Sequence, residues 1–83
     1  MKTITREGVS ITIEDRGMKD CCRVIRFQCE YQGLSVNRGL QIKLDGDVDV
    51  AGDIGREISN CVQVMKKMAV EHANFDAALE GLK

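Results

Sequence analysis

Five carboxylates lie within the fourteen residues LDGDVDVAGDIGRE, numbered 44–57. Closely spaced carboxylates can bind calcium, and an EF-hand loop also needs a glycine at its centre and a bidentate glutamate at its end. When the loop is counted from Asp45, Val50 stands at the glycine position and Arg56 at the glutamate position. The sequence therefore lacks both the glycine that shapes such a loop and the glutamate that closes it. We therefore expect no metal site in this chain.

The same acids are typical of the start of a helix, where unpaired backbone N–H groups and a partial positive charge favour carboxylates. Asp49 or Asp53 is the expected N-cap. Five acids exceed what one cap requires, so we expect an exposed acidic patch that binds a protein partner with a basic surface. The residues of this patch are Asp45, Asp47, Asp49, Asp53 and Glu57.

Four cysteines and one histidine could in principle bind zinc. On the elements predicted below, however, Cys21 and Cys29 lie ~26 Å apart along one strand. Cys61 and His72 lie ~16 Å apart along one helix. The chain also has no C-x-x-C spacing of the zinc type. We expect Cys21, Cys29 and Cys61 to be buried hydrophobic residues and Cys22 to be an exposed free thiol, as in a reducing compartment.

Catalytic motifs are missing as well. His72 has no nucleophile or orienting acid that the sequence can place beside it. The glycines at 46, 52 and 55 follow neither the dinucleotide-binding nor the P-loop spacing. We therefore expect a protein that is not an enzyme and that binds no cofactor.

The elements that carry these residues begin with a strand, in which Val9, Ile11 and Ile13 alternate with polar residues. Ile4 could extend it backwards, with Gly8 as a bulge or tight turn, and a polar loop follows at residues 14–20. The next two strands form a hairpin with a turn at Gln32 and Gly33. The expected facing pairs are Tyr31–Leu34, Cys29–Val36, Phe27–Arg38, Ile25–Leu40, Arg23–Ile42 and Cys21–Leu44. An alternative turn at residues 37–39 remains open.

This register places most apolar residues on one face of the sheet and polar residues on the other. Arg26 and Lys43 on the polar face could contact a nucleic-acid backbone. The face has no aromatic residue for base stacking, since Phe27 and Tyr31 point inward. Net charge is −1 rather than clearly basic, with +3 over residues 1–43, −4 over residues 44–57 and no net charge beyond.

A long amphipathic helix is predicted from about residue 49 to residue 80. From Ile54 to Leu82, apolar residues recur at spacings of four and three, as in a heptad seam. A continuous helix of this length, ~46 Å, exceeds the strands that it would cover. Either the helix pairs with a second copy, or it breaks near Asn74 and folds back. The residues of the expected homodimer seam are Met68, His72, Phe75 and Leu79.

The chain is thus expected to be one α+β domain spanning residues 1–83, with a sheet at about 2–45 and a helix at about 49–80. The sheet is an antiparallel β-meander of three or four strands, packed on one face by the long C-terminal helix in the order β-β-β-α. The expected core contains Ile11, Ile13, Ile25, Phe27, Cys29, Leu34, Val36, Leu40, Ile42, Leu44, Ile54, Ile58, Cys61, Val62 and Met65.

The expected function is that of a small non-enzymatic protein-binding module. In size and architecture the chain resembles accessory proteins carried by phages and other mobile elements, some of which inhibit host defence complexes such as CRISPR effectors. A nucleic-acid-binding regulator that uses Arg26 and Lys43 is the alternative. The charged N-terminus is unlike a signal peptide, and no uncharged stretch reaches the length of a membrane span, so we expect a cytoplasmic protein.

Overall fold

A computed structural model describes residues 1–46 and 48–82 of the chain. Over these residues the chain forms four strands and one helix: β1 (Lys2–Arg6), β2 (Val9–Lys19), β3 (Cys22–Tyr31), β4 (Leu34–Lys43) and α1 (Val50–Glu80). The strands form one antiparallel sheet in the order β1-β2-β3-β4. The helix α1 packs mainly on β4 and β3. The predicted α+β meander with a C-terminal helix is confirmed.

Two-residue turns join the strands, and their residues have left-handed backbone conformation. The φ values are 50° and 83° at Glu7 and Gly8, 51° and 63° at Asp20 and Cys21, and 51° and 80° at Gln32 and Gly33. Two successive positive φ angles are typical of type I′ turns, whose twist matches that of the flanking strands. The predicted turn at Gln32 and Gly33 is confirmed. The alternative at residues 37–39 is excluded, because those residues lie inside β4.

The register between β3 and β4 also agrees with the prediction, from Arg23 opposite Ile42 to Tyr31 opposite Leu34. The predicted pairing of Cys21 with Leu44 is wrong. Cys21 lies in the turn before β3, and only one backbone bond, from the Leu44 N–H to the Cys21 carbonyl (3.2 Å), links the two residues.

Residues 14–20 are not the predicted loop, because β2 continues to Lys19. A β-bulge between Asp15 and Gly17 interrupts the pairing with β3 and lets it resume beyond. Gly17 has a φ of 86°, which a side chain would disfavour. The Gly17 N–H donates to the Asp15 carboxylate (2.9 Å) and so fixes the bulge.

The core lies between α1 and the facing side of the sheet. Its buried residues come from β2, β3, β4 and α1: Val9, Ile11, Ile25, Phe27, Cys29, Ile42, Cys61, Val62 and Met65. Ile13, Leu34, Val36, Leu40, Ile54 and Ile58 pack against it while partly exposed. The prediction that Leu44 is a core residue is wrong, since β4 ends before it and 45% of its surface is exposed.

The helix α1 is continuous through Asn74 for 31 residues, so the alternative of a break near Asn74 is excluded. Residues from Val70 onward are exposed along the rest of the described helix, because the sheet ends before them. The molecule is correspondingly elongated, with extents of 57 × 23 × 19 Å. Within residues 1–46 and 48–82, no helix has both the length and the apolar character that crossing a membrane requires.

Candidate protein-binding surfaces

The acidic residues surround the start of α1. Asp49 is the N-cap, and its carboxylate accepts a bond from the Gly52 N–H (3.0 Å). Asp45 is exposed in the preceding loop, whereas Asp53 is half-buried and forms an ion pair with Arg56. Asp47 lies outside the described residues. We call Asp45, Asp49 and Asp53 the acidic surface.

Glu57 does not belong to an exposed patch, and its assignment there is wrong. Only 8% of the residue is exposed, and Arg38 on β4 donates from Nε to its Oε1 at 2.5 Å. The bond to this carboxylate raises the pKa of Arg38 above its ordinary value. A buried carboxylate needs such a partner because water no longer solvates it. Glu57 therefore links the helix to the sheet and is not one of the exposed acidic residues.

The sequence contained a signal for this pair. The predicted register placed Arg38 opposite Phe27, as a charged residue in an otherwise apolar row. Glu57 lies one helical turn before Cys61 and so falls on the face of α1 that covers the sheet. Two opposite charges on facing apolar surfaces predict an ion pair. The sequence does not show, however, where α1 lies along β4, so it cannot tell whether Glu57 reaches Arg38.

The buried cysteines lie next to this ion pair. Cys29 on β3 and Cys61 on α1 are fully enclosed, as predicted, and burial raises the pKa of Cys61 to about 12. The Cys61 thiol lies 4.0 Å from the Glu57 carboxylate. The prediction for Cys21 is wrong, since its position in a turn exposes it, and Cys22 is half-buried. Among the described residues, no group of three or more His, Cys, Asp or Glu could hold a metal ion.

The exposed end of α1 carries the apolar residues that the heptad spacing singled out. We call residues 70–82 the projecting segment. Phe75, Leu79 and Leu82 are 63%, 50% and 82% exposed, while Met68 at its base is half-buried against the core. His72 lies 3.5 Å from Asp76 on the next turn of the same helix.

These apolar residues continue the face of α1 that covers the sheet. At ~100° per residue, the seam positions from Met65 to Leu82 all lie within about 60° of Cys61, which points into the core. Val70, which is 61% exposed, lies on the opposite side. The apolar stripe of the projecting segment therefore lies on the sheet side of the helix, beyond the end of the sheet.

Arg26 and Lys43 share the outer face of the sheet, away from α1. Arg26 pairs in register with Glu14 and Gly39, and Lys43 pairs with Cys22, which also faces Lys19. Lys19 and Lys43 thus stand on strands either side of Cys22. No aromatic residue joins them on the described part of this face, since Phe27 and Tyr31 alternate onto the helix side.

An ion pair lies on the helix-side face of the sheet, at the end near the start of α1. Arg23 donates from Nε to both carboxylate oxygens of Asp15, at 2.9 and 3.0 Å. These bonds, with the Gly17 N–H, lower the pKa of Asp15 to about 2. Both residues line a depression whose other walls include Ile25, Ile42 and Ile54. The pair thus forms the polar side of an otherwise mostly apolar depression at this edge of the core.

Comparison of the chain with protein-family models, curated protein sequences and solved structures finds no match.

Proposed function

We propose that this chain is a small, non-enzymatic protein-binding module that pairs with a second copy through the projecting segment. The observation that carries the proposal is the stripe formed by Met68, His72, Phe75 and Leu79, which continues beyond the sheet and which, after Met68, no other element of the described residues covers. Exposing apolar residues together on one helix face is typical of a protein-protein interface.

The acidic surface provides a second docking region, for a protein partner with a basic surface. Asp45 and Asp49 are exposed at the start of α1 and lie at the other end of the helix from the projecting segment. The groove beside these residues also contains Lys43 and Arg56, so this region carries charges of both signs. It therefore favours a basic partner surface that also places acidic groups opposite Lys43 and Arg56. The module acts by occupying such a surface, as an inhibitor or accessory protein does. We place it in the cytoplasm, in keeping with the exposed free thiol of Cys21.

Sedimentation velocity over a range of concentrations tests the pairing. The native chain should form a dimer, and Phe75→Asp should weaken the dimer at least about tenfold, because two carboxylates would enter an apolar contact. Val70→Asp is the matched control, since Val70 is equally exposed but lies about 140° around the helix from Phe75. A strict monomer at millimolar concentration, or equal effects of both changes, would contradict this part of the proposal.

Affinity capture from the native host, followed by mass spectrometry, tests the acidic surface. The combined change Asp45→Ser and Asp49→Ser removes two charges and leaves a capping hydroxyl at the start of α1. It should release a basic partner that the native chain retains in moderate salt. The control is Glu14→Ser with Glu30→Ser, which removes the same charge from the outer sheet face. Equal retention by native chain and acidic-surface variant would contradict a role for these residues.

Binding of nucleic acid through Arg26 and Lys43 is the second candidate function. Its support is that both residues, with Lys19, lie on the outer sheet face. If it is right, mixed DNA and RNA should bind at low ionic strength, weaken steeply with added salt and be lost after Arg26→Gln with Lys43→Gln. Absent or salt-insensitive binding would remove this candidate.

A further inference from the structure

We infer that the second copy docks antiparallel under the projecting segment, so that the dimer is an extended rod with one acidic surface at each end. This inference rests on the proposed pairing through the projecting segment, and it adds the orientation of the two copies and the arrangement of their partner sites.

A parallel arrangement is sterically blocked. The seam of the projecting segment lies on the same face of α1 as Cys61 and Met65, and the sheet already occupies that face up to Met68. A parallel partner helix aligned along the seam would run through the space that the sheet fills. Straight helices paired in the same direction therefore collide with each other's sheets.

An antiparallel partner meets no such obstacle. Its projecting segment enters the space beside Phe75 and Leu79, and the rest of its helix continues past the described end of the first chain. Helices pack at separations of about 8–10 Å, close to the thickness of one layer of the fold. Each projecting segment thus lies beside the other copy's segment and in front of the ends of the β1–β2 and β3–β4 hairpins.

Contacts between α1 and the sheet mark where the partner helix must stop. Lys66 donates from Nζ to Glu7 at 2.8 Å, which ties the turn between β1 and β2 to the helix just before the projecting segment begins. Met68 packs on the core from the same level. The available overlap therefore begins near Val70 and runs to Glu80, about 15 Å of helix.

This overlap fixes the span of the dimer. Two helices of ~46 Å that overlap by ~15 Å separate their N-terminal ends by about 75 Å. Asp49 and Asp53 stand at those ends. The two acidic surfaces of one dimer then point away from each other and cannot meet a single basic patch. They are suited to two separate sites, on two partner molecules or on one large assembly, where linkage raises the apparent affinity.

Small-angle X-ray scattering of the native dimer tests the arrangement without any variant. The chain itself is 57 Å long. An antiparallel dimer overlapping by ~15 Å should have a maximum dimension of about 100 Å. A dimer with a maximum dimension near 60 Å would overturn the inference while leaving the proposed pairing intact. A strict monomer would overturn both.

Spin-label distances provide the second measurement. With Cys21 and Cys22 changed to Ser, nitroxides would be attached at Asn60→Cys and, separately, at Lys67→Cys, both at exposed positions. Antiparallel copies predict an inter-copy distance of about 45 Å at position 60 and about 25 Å at position 67, whereas copies aligned in the same direction predict similar values at both. Equal distances would overturn the inference.

Discussion

At the scale of single residues, the ion pair of Arg38 and Glu57 links the sheet to the helix beside the buried core. Its bond is 2.5 Å long, and about a third of the Arg38 side chain remains exposed. Pairs of this kind are costly to break, because the remaining charge stays in a poorly solvated place. An intact pair contributes less to the free energy of unfolding than its loss would suggest, because both charges lost their hydration on folding.

We expect Arg38→Met to lower the free energy of unfolding by about 2 kcal/mol, because Glu57 is left buried without its partner; the partial exposure of Arg38 keeps the loss below that of a fully buried pair. The double change Arg38→Met with Glu57→Met should recover most of the loss. Urea denaturation of the three proteins measures both effects. A double variant no more stable than Arg38→Met would contradict this account.

The four cysteines should differ sharply in reactivity. Cys21 is exposed in a turn, whereas Cys29 and Cys61 are fully enclosed. Thiolates are the reactive species, and burial keeps Cys61 protonated at neutral pH. Brief iodoacetamide treatment of the folded protein at pH 8 should therefore modify Cys21 and spare Cys29 and Cys61, as peptide mass spectrometry would show. Modification of all four at one rate would argue against the described core.

The raised pKa of Cys61 also predicts a loss of stability in alkaline solution. Its pKa is about 12 in the folded chain against an ordinary value of 9.0, so between these values the unfolded chain loses the thiol proton and the folded chain keeps it. The free energy of unfolding then falls as pH rises above about 9. Denaturation at pH 8 and pH 10 should show a smaller fall for Cys61→Ala than for the native chain. An identical fall in both proteins would mean that Cys61 is not responsible.

At the scale of elements, α1 begins with two glycines that have different surroundings. A Cβ at Gly52 would lie 2.3 Å from the capping carboxylate of Asp49, whereas a Cβ at Gly55 meets no neighbouring atom within 4 Å. Glycine inside a helix lowers the free energy of unfolding by about 1 kcal/mol relative to alanine. Replacing it with alanine should therefore stabilise the protein wherever the added Cβ meets no other atom.

We therefore expect Gly55→Ala to raise the free energy of unfolding by about 1 kcal/mol. Gly52→Ala should bring little or no gain, because displacing the Asp49 carboxylate loses a cap that is also worth about 1 kcal/mol. Thermal unfolding followed by circular dichroism compares the two. Equal stabilisation by both changes would show that the Asp49 cap contributes nothing.

At the scale of the whole molecule, the sheet and the first half of α1 form the folded body, and the projecting segment adds length without burial. A domain of 83 residues has a limited core, and association is one way to gain stability. If the projecting segment pairs with a second copy, folding and association are linked by mass action.

The melting temperature of the native chain should then rise with protein concentration. If association adds about 1 kcal/mol to the free energy of unfolding at 100 µM relative to 1 µM, the rise should be several degrees. Phe75→Asp should melt at one temperature throughout this range, because its side chain is exposed in the single chain and only the pairing is lost. Val70→Asp should behave like the native chain. Independence of concentration in the native chain would count against the linkage.

Local pattern predicted much of this protein. The register from Arg23 to Tyr31 followed from alternating side chains and a two-residue turn, because a shift by one residue would expose the whole apolar row. Helix chemistry restricted the N-cap to Asp49 or Asp53, of which the structure has Asp49, and the hydrophobic period predicted the extent of α1. Both depend on neighbours in the chain, which a sequence displays directly.

Only the tertiary structure decided which of these residues are free to meet a partner. Glu57, predicted to be exposed with the other acidic residues, is buried in a pair with Arg38. Cys21, predicted to lie in a strand, lies in a turn. The tertiary structure also showed that α1 outruns the sheet after Met68 and that the apolar stripe beyond faces the sheet side. These outcomes depend on the position and rotation of the helix on the sheet. Contacts between residues far apart in the sequence set both, so the hydrophobic period of the sequence does not reveal them.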